Sequence, residues 1–383
     1  MSTLPLHGLT VLEFSQYLSG PSAGLRLADL GAKVIKIERP GTGDACRQLS
    51  IGNQWVDESS LLFHTINRNK QSFAADLKDK KDLELVKNLI RISDVMTHNF
   101  RPGVMEKIGL DFESVKNLNP KMIYAEITGY GKEGPWKDKP GQDLLIQSLS
   151  GLTFTTGNGK TDPVPPGLAV ADMICGAHLV QGILAALIRT QKTGEGAHIE
   201  VSLMESMLDF QFEFLTTYFA SGCLPQRSLI NNAHSLLGAP YGIYKTASGY
   251  IALAMMPIHK LSAAIDCESL NKYSEEETFS KRDEIKEIIA GFLLQNTTEH
   301  WLEKLIERDL WAMPVMNWNE LSMHEAYRAL DMEQVIYSNG AKPVTTTRCP
   351  IRMNEEKFKS DTGAPKLGQH NQQILEELKE IVH

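Results

Sequence analysis

The first 38 residues constrain the fold most. Thr10-Val11-Leu12-Glu13-Phe14 is a short β-forming run. Ser19-Gly20-Pro21 then has the composition of a helix start, with Ser19 as the expected cap and Pro21 in the first turn. Leu25, Leu27, Leu30 and their alanine neighbours form an apolar helical stripe that Gly31 closes. Ala32 to Glu38 (AKVIKIE) is a second strand. Strand, helix and strand in so short a span make a βαβ unit, the building block of a parallel sheet with helices on its faces.

The alternation continues. A helix is expected over 81–92, strands over 93–97 and 122–128, a long apolar helix over 172–190, a strand over 198–203 and a helix over 204–218. From about residue 225 the texture changes. Pro240–Lys245 and Gly249–Ala254 read as a hairpin around Ala247-Ser248-Gly249, and amphipathic helices follow over 281–294 and 298–307. A smaller α+β domain is therefore expected over 225–325, with the large α/β domain built from 1–224 and 326–383. A length of 383 residues agrees, since it exceeds one ordinary core.

Net charge is −8 and no basic stripe stands out, which argues against nucleic acid as a partner. The five cysteines (46, 175, 223, 267 and 349) are scattered, without CxxC or zinc-like spacing. The N-terminal sequence lacks the basic and apolar regions of a secretory signal. The most apolar stretch, 177–188, is shorter than the ~20 residues a membrane span needs. A cytoplasmic protein that binds neither membrane nor metal is the expectation.

Several positions carry chemistry. Glu38 ends the second strand where dinucleotide-binding folds place a ribose-binding acid, but the loop from Ser15 to Pro21 holds one glycine and cannot cradle a pyrophosphate as those folds do. Arg39-Pro40-Gly41-Thr42-Gly43-Asp44, Asn67-Arg68-Asn69-Lys70 and Asn99-Phe100-Arg101-Pro102-Gly103 are polar, basic loops. Together they can offer cations and amide donors to a phosphorylated ligand, and each alone also reads as a plain solvated turn. Asp143 and Asp172 each precede an apolar helical run, where an N-terminus stabilises a carboxylate and lowers its pKa. Capping accounts for either. Asp172 is set apart by apolar or small neighbours on both sides, Val164 to Ala171 and Met173 to Ala177. A shielded carboxylate there is a competent nucleophile for covalent catalysis. No nucleophile elbow, HExxH or phosphate loop is evident.

Taken in order, these stretches resemble a known family: Gly8–Phe14, Gly20-Pro21, Leu30–Asp44, Asn67–Lys70, Asp94-Val95-Met96, Asn99–Gly103, Ile127–Gly131, Lys192–Gly196 and Ala364–His370. Their spacing is similar to that of the class III CoA-transferases, over essentially the whole chain. The resemblance implies a Rossmann-type large domain made from both chain ends, a smaller inserted domain, and a homodimer of two interlocked rings. It implies acyl-CoA and carboxylic acid substrates, with a coenzyme A thioester consumed rather than a cofactor bound permanently. It places Asp172 at the catalytic aspartate, Asp143 at a second acid near the reaction centre, and Gly238 in a glycine-poor version of the loop that covers the active aspartate. It places Arg39, Asn69, Lys70, Asn99, Phe100 and Lys107 at the site for the nucleotide portion of CoA.

The reduced glycine loop, His234 to Pro240, and Leu49 and Leu18 at positions that differ from formyl-CoA transferase, point to an acid other than the formate and oxalate pair. The same family includes α-methylacyl-CoA racemases, which use a histidine immediately before the first aspartate as a base. Here that residue is Gln142, which cannot take a proton at neutral pH, so transfer is the expected chemistry. His98 or His178 as substitute base, and a non-catalytic CoA-binding protein, are the alternatives.

Overall fold

A computed structural model describes residues 4–338, 340 and 342–382. It divides into two compact units. The first comprises Met1–Ile146, Ala169–Phe210 and Asp331–His383, and the second Gln147–Leu168 and Gln211–Leu330. The division expected at 224/225 falls instead at 210/211, and 147–168 joins the smaller unit. Backbone acceptors explain this. Arg227 donates to the Thr156 carbonyl at 2.6 Å and Asn232 to the Gly157 carbonyl at 2.9 Å, tying 152–168 to the segment after 211.

The first unit is built on a parallel sheet. Its strands are β1 (Thr10–Glu13), β2 (Lys33–Glu38), β3 (Gln71–Ala74), β4 (Val95–His98), β5 (Ile123–Thr128) and β6 (Ala197–Ser202), in the order β3-β2-β1-β4-β5-β6. This is the doubly wound order, whose ligand crevice lies beyond the strands' C-terminal ends, between β1 and β4. The edge strand β3 was not expected from the sequence. It has four residues, and the polar loop before it conceals the apolar Phe73, which is fully buried.

One face of the sheet carries Leu12, Phe14, Ile35, Ile37, Met96 and Tyr124 against Val86, Leu89 and Ile90 of helix α2 (Lys80–Ile92). The other face meets α1 (Ser19–Asp29) and, beyond a short helix α3 (Asp143–Leu149), the long α4 (Val170–Thr193). Ser19 does not cap α1, as expected, but is its first residue; Leu18 precedes it without a side-chain cap. Helix α4 outruns the expected 172–190 and is long and apolar enough, by length and composition, to cross a bilayer. It spends its stripe of Ala171, Cys175, Leu179, Ile183 and Ala186 on the interior of this unit. Gly176 lets it sit close to α1: an added Cβ would lie 2.4 Å from Ser22 Oγ and 2.7 Å from the Ser19 carbonyl.

The second unit holds an antiparallel sheet in which Tyr250–Leu253 lies between Gly242–Lys245 and Ala312–Pro314. Its core gathers Tyr244, Ile251 and Leu253 with Ile285, Ile289 and Leu293 of the helix Arg282–Leu293 and Trp301 of the helix Thr298–Ile306. These match the hairpin and helices expected from the sequence.

Candidate active site

Parallel strands direct the loops after β1, β2, β4 and β5 to one edge. Because α4 runs back toward β6, its N-terminus returns to that edge as well. Asp172 is the third residue of α4 and is half-buried. Asp143 opens α3, and the loop carrying it is set by two glycines. Gly129, just past β5, and Gly141 stack backbone on backbone, and a Cβ on Gly141 would lie 2.5 Å from the Gly129 Cα.

These two aspartates meet. Asp143 Oδ1 accepts from the Ala171 N–H at 2.8 Å and from the Asp172 N–H at 3.2 Å. Residue 169, at the start of α4, provides no side-chain cap, so a carboxylate from another helix serves as the cap. The consequence for Asp172 runs against the sequence expectation of a lowered pKa. Burial, and secondarily the charge of Asp143, push its carboxyl up from 3.8 to about 7. The helix N-terminus does not prevail, because Asp143 is bonded to two of its N–H groups.

The loop after β1 is clamped across the crevice. Asn99, just past β4, accepts from the Gln16 N–H at 2.8 Å and donates to the Gln16 carbonyl at 2.7 Å. Asp44 Oδ1 accepts from the Tyr17 N–H at 3.1 Å. Tyr17, 53 % exposed, is held at φ 65°, a left-handed conformation that a bulky residue adopts only under restraint. Sequence reasoning missed Tyr17, for no motif marks a strained tyrosine. Arg39 and Lys107 are exposed, and Phe100 packs on the core beside His98 with ring centroids 6.2 Å apart. Arg39, Asn99 and Phe100 thus share the C-terminal edge.

Asn69 and Lys70 do not. They precede β3 and line a cleft with His7, Lys33 and His370 at the opposite, N-terminal edge. Lys70 is enclosed: its Nζ bonds Glu13 Oε2 at 2.8 Å, Asn67 Oδ1 at 2.9 Å and the Pro21 carbonyl at 2.8 Å. Asn69 donates to the Ala28 carbonyl at 3.0 Å and adopts φ 62°. Lys70 is a structural cation, not a phosphate ligand. Lys78, exposed in the turn after β3, occupies the position topologically equivalent to Arg39.

Glu38 is likewise engaged, accepting from Arg47 at 2.8 and 2.7 Å, from Ser72 Oγ and from the Asp44 N–H. Burial works to raise its pKa, and Arg47 holds it below the usual carboxylate range. It has no capacity left for a ribose. Gly238 lies in the second unit, where a Cβ would stand 2.9 Å from the Thr278 backbone. His178 pairs with Ser206 Oγ at 3.0 Å, and burial lowers His98 to about 4, so the His98 ring is not a base poised for neutral pH.

A family model described as CoA-transferase family III matches residues 6–371. Over 390 aligned residues the chain is 33% identical to the succinate–glutarate CoA-transferase of Agrobacterium fabrum, covering 98% of this chain and 96% of that protein. It is 31% identical to the acetyl-CoA:oxalate CoA-transferase of Acetobacter aceti, over 82% and 81% of the two chains. A CAIB/BAIF family protein from Brucella suis superposes with a TM-score of 0.85 at 33% identity, covering 98% of this chain and 100% of that one. The chain belongs to CoA-transferase family III. It moves coenzyme A from an acyl-CoA to a carboxylic acid, on the mixed α/β fold with a parallel central sheet that this family shares.

Proposed function

We propose that Asp172 is the nucleophile, acting through covalent intermediates, and that the acids exchanged are dicarboxylic. The Asp172 carboxylate attacks the donor thioester carbonyl. The C–S bond breaks, leaving a mixed anhydride and the CoA thiolate. The thiolate attacks the aspartyl carbonyl, which expels the donor acid as its carboxylate and leaves an Asp172–CoA thioester. The acceptor carboxylate then repeats both steps in reverse order, regenerating Asp172. The carrying observation is the Asp143 cap, which holds Asp172 at a helix start in a setting that keeps half of it ionised near pH 7. Arg39, Asn99, Phe100, Lys107 and Lys78 are the residues we assign to the nucleotide portion of CoA.

Relatives named for succinate–glutarate and succinyl-CoA:glutarate transfer support dicarboxylates as donor and acceptor. The interlocked homodimer is supported by large apolar side chains left exposed, Ile188 on α4 and Phe212 and Phe219 on the helix Phe212–Ser221. A cytoplasmic site of action fits five free cysteines. The test is intact-protein mass spectrometry after mixing with succinyl-CoA. A CoA adduct on wild type, absent from Asp172→Asn, is expected. Transfer that persists in Asp172→Asn overturns the mechanism, and deuterium wash-in at the α-carbon without acyl exchange would instead indicate racemisation.

A further inference from the structure

A second cluster, independent of the two aspartates, crosses three strands of the first unit. His98 of β4 is the register partner of Glu126 of β5, which is in turn the partner of Glu200 of β6. Directly opposed residues share a sheet face, and His198, two positions before Glu200, shares it as well. Four side chains of the imidazole and carboxylate kinds therefore converge. Glu126 Oε1 lies 2.5 Å from His198 Nε2, and Glu126 Oε2 lies 3.6 Å from His98 Nε2. Glu200 Oε2 is 4.0 Å from His198 Nδ1. One ligand atom each of Glu126, His198 and Glu200 falls within 4.8 Å of the others. His98 provides the second observation: it is 3% exposed, and both ring nitrogens are without a hydrogen-bond partner.

A cation already marks the spot. Lys132 Nζ bridges Glu126 Oε1 at 2.5 Å and Glu200 Oε1 at 2.8 Å. Its side chain is 41% exposed, on a loop between Gly131 and Gly134, both at positive φ, so the ammonium can swing to solvent without disturbing the core. Two carboxylates and one ammonium leave a net negative charge beside two imidazoles. Mixed nitrogen and oxygen donors suit a zinc-type ion, which binds both at ~2.0–2.2 Å, better than calcium or magnesium, which prefer oxygen alone.

We propose that His98, Glu126, His198 and Glu200 form a binding site for a divalent transition-metal ion of the zinc type, entered by displacement of the Lys132 ammonium. An ion there would tie the end of β4 to β5 and β6. His98 immediately precedes Asn99, whose amide clamps Gln16, so occupancy would brace the loop at the crevice.

The test titrates chelator-treated full-length protein with Zn²⁺ against a chromophoric competitor, and with Co²⁺ read by its visible absorption. One ion per chain is expected, with the intense visible bands of a four- or five-coordinate cobalt site. Lys132→Met, which removes the competing ammonium at a half-exposed position, should tighten binding about tenfold, and His198→Asn should weaken it at least tenfold. Because replacing the buried Glu126 risks the fold, Lys132→Met is the decisive variant. Wild type and Lys132→Met holding zinc no better than His198→Asn would overturn the proposal, as would a cobalt spectrum that His198→Asn leaves unchanged.

Discussion

Replacing Asp143 by Asn separates its two effects on Asp172. Asn keeps an oxygen that can accept from the Ala171 and Asp172 N–H groups, so the cap survives, but the negative charge is gone. The Asp172 carboxyl stands at about 7 rather than 3.8, with burial the larger cause and Asp143 the smaller. Removing the charge therefore recovers less than half of that rise and brings Asp172 to about 5.5–6. At pH 6 the ionised fraction climbs from about a tenth to about a half. Single-turnover formation of the enzyme–CoA adduct, followed by quenched mass spectrometry from pH 5 to 8, should show the acid limb shifted down by about one pH unit in Asp143→Asn. Near pH 8 both enzymes are ionised, and the more basic wild-type carboxylate should be the faster. Asp143→Ala loses the cap too, at a cost of about 1 kcal/mol. An acid limb that stays in place in Asp143→Asn, with the adduct still formed, would refute the reasoning.

The remaining predictions address stability and binding. Because Asp172 has a pKa raised on folding, the native state holds its proton more tightly than the unfolded chain, so its contribution to stability falls from pH 4 to pH 7 and is flat above. Asp172→Asn should remove that fall. Its advantage in thermal unfolding should grow over this range to about 2 kcal/mol, below a ceiling of about 4 because the carboxyl is only half-buried. Lys70→Met removes one of the two buried ammonium groups on Glu13, with Lys36 still 2.9 Å from its carboxylate, and should cost about 1–3 kcal/mol by urea unfolding while leaving KM for acyl-CoA unchanged. Lys78→Ala and Arg39→Ala should do the reverse, raising KM several-fold with stability within about 0.5 kcal/mol. Gly141→Ala forces a Cβ onto the Gly129 backbone and should slow adduct formation at least tenfold by displacing Asp143, read by the same mass assay.

Most of the parallel sheet was legible, because strand and helix periods alternate cleanly from Thr10 to Leu203. What escaped was decided by tertiary neighbours. The edge strand Gln71–Ala74 carries one large apolar residue, Phe73, too few to show a period. Missing that strand put Asn69 and Lys70 at the wrong edge of the sheet, since a basic loop before a strand and one after it look alike in sequence. The boundary of the smaller unit escaped for a similar reason. The segment 147–168 joins it through backbone carbonyls accepting from Arg227 and Asn232, groups that every residue carries.

The sign of the Asp172 shift could not have been read either. A helix N-terminus lowers a carboxylate's pKa only if its N–H groups are available, and whether they are depends on a residue 29 positions away. Sequence proximity favours the local cap, yet here the cap is Asp143, held in place by the Gly129–Gly141 contact. If Asp172 is the nucleophile we propose, the two demands on it oppose one another. A nucleophile must be ionised to attack, and a strongly stabilised carboxylate attacks poorly and leaves easily. By engaging the helix N–H groups and adding its own charge, Asp143 keeps Asp172 basic, and the repulsion between them is relieved once Asp172 is esterified and neutral. In the mechanism we propose, the acid that looked like a second helix cap in the sequence thereby accounts for the reactivity of the first.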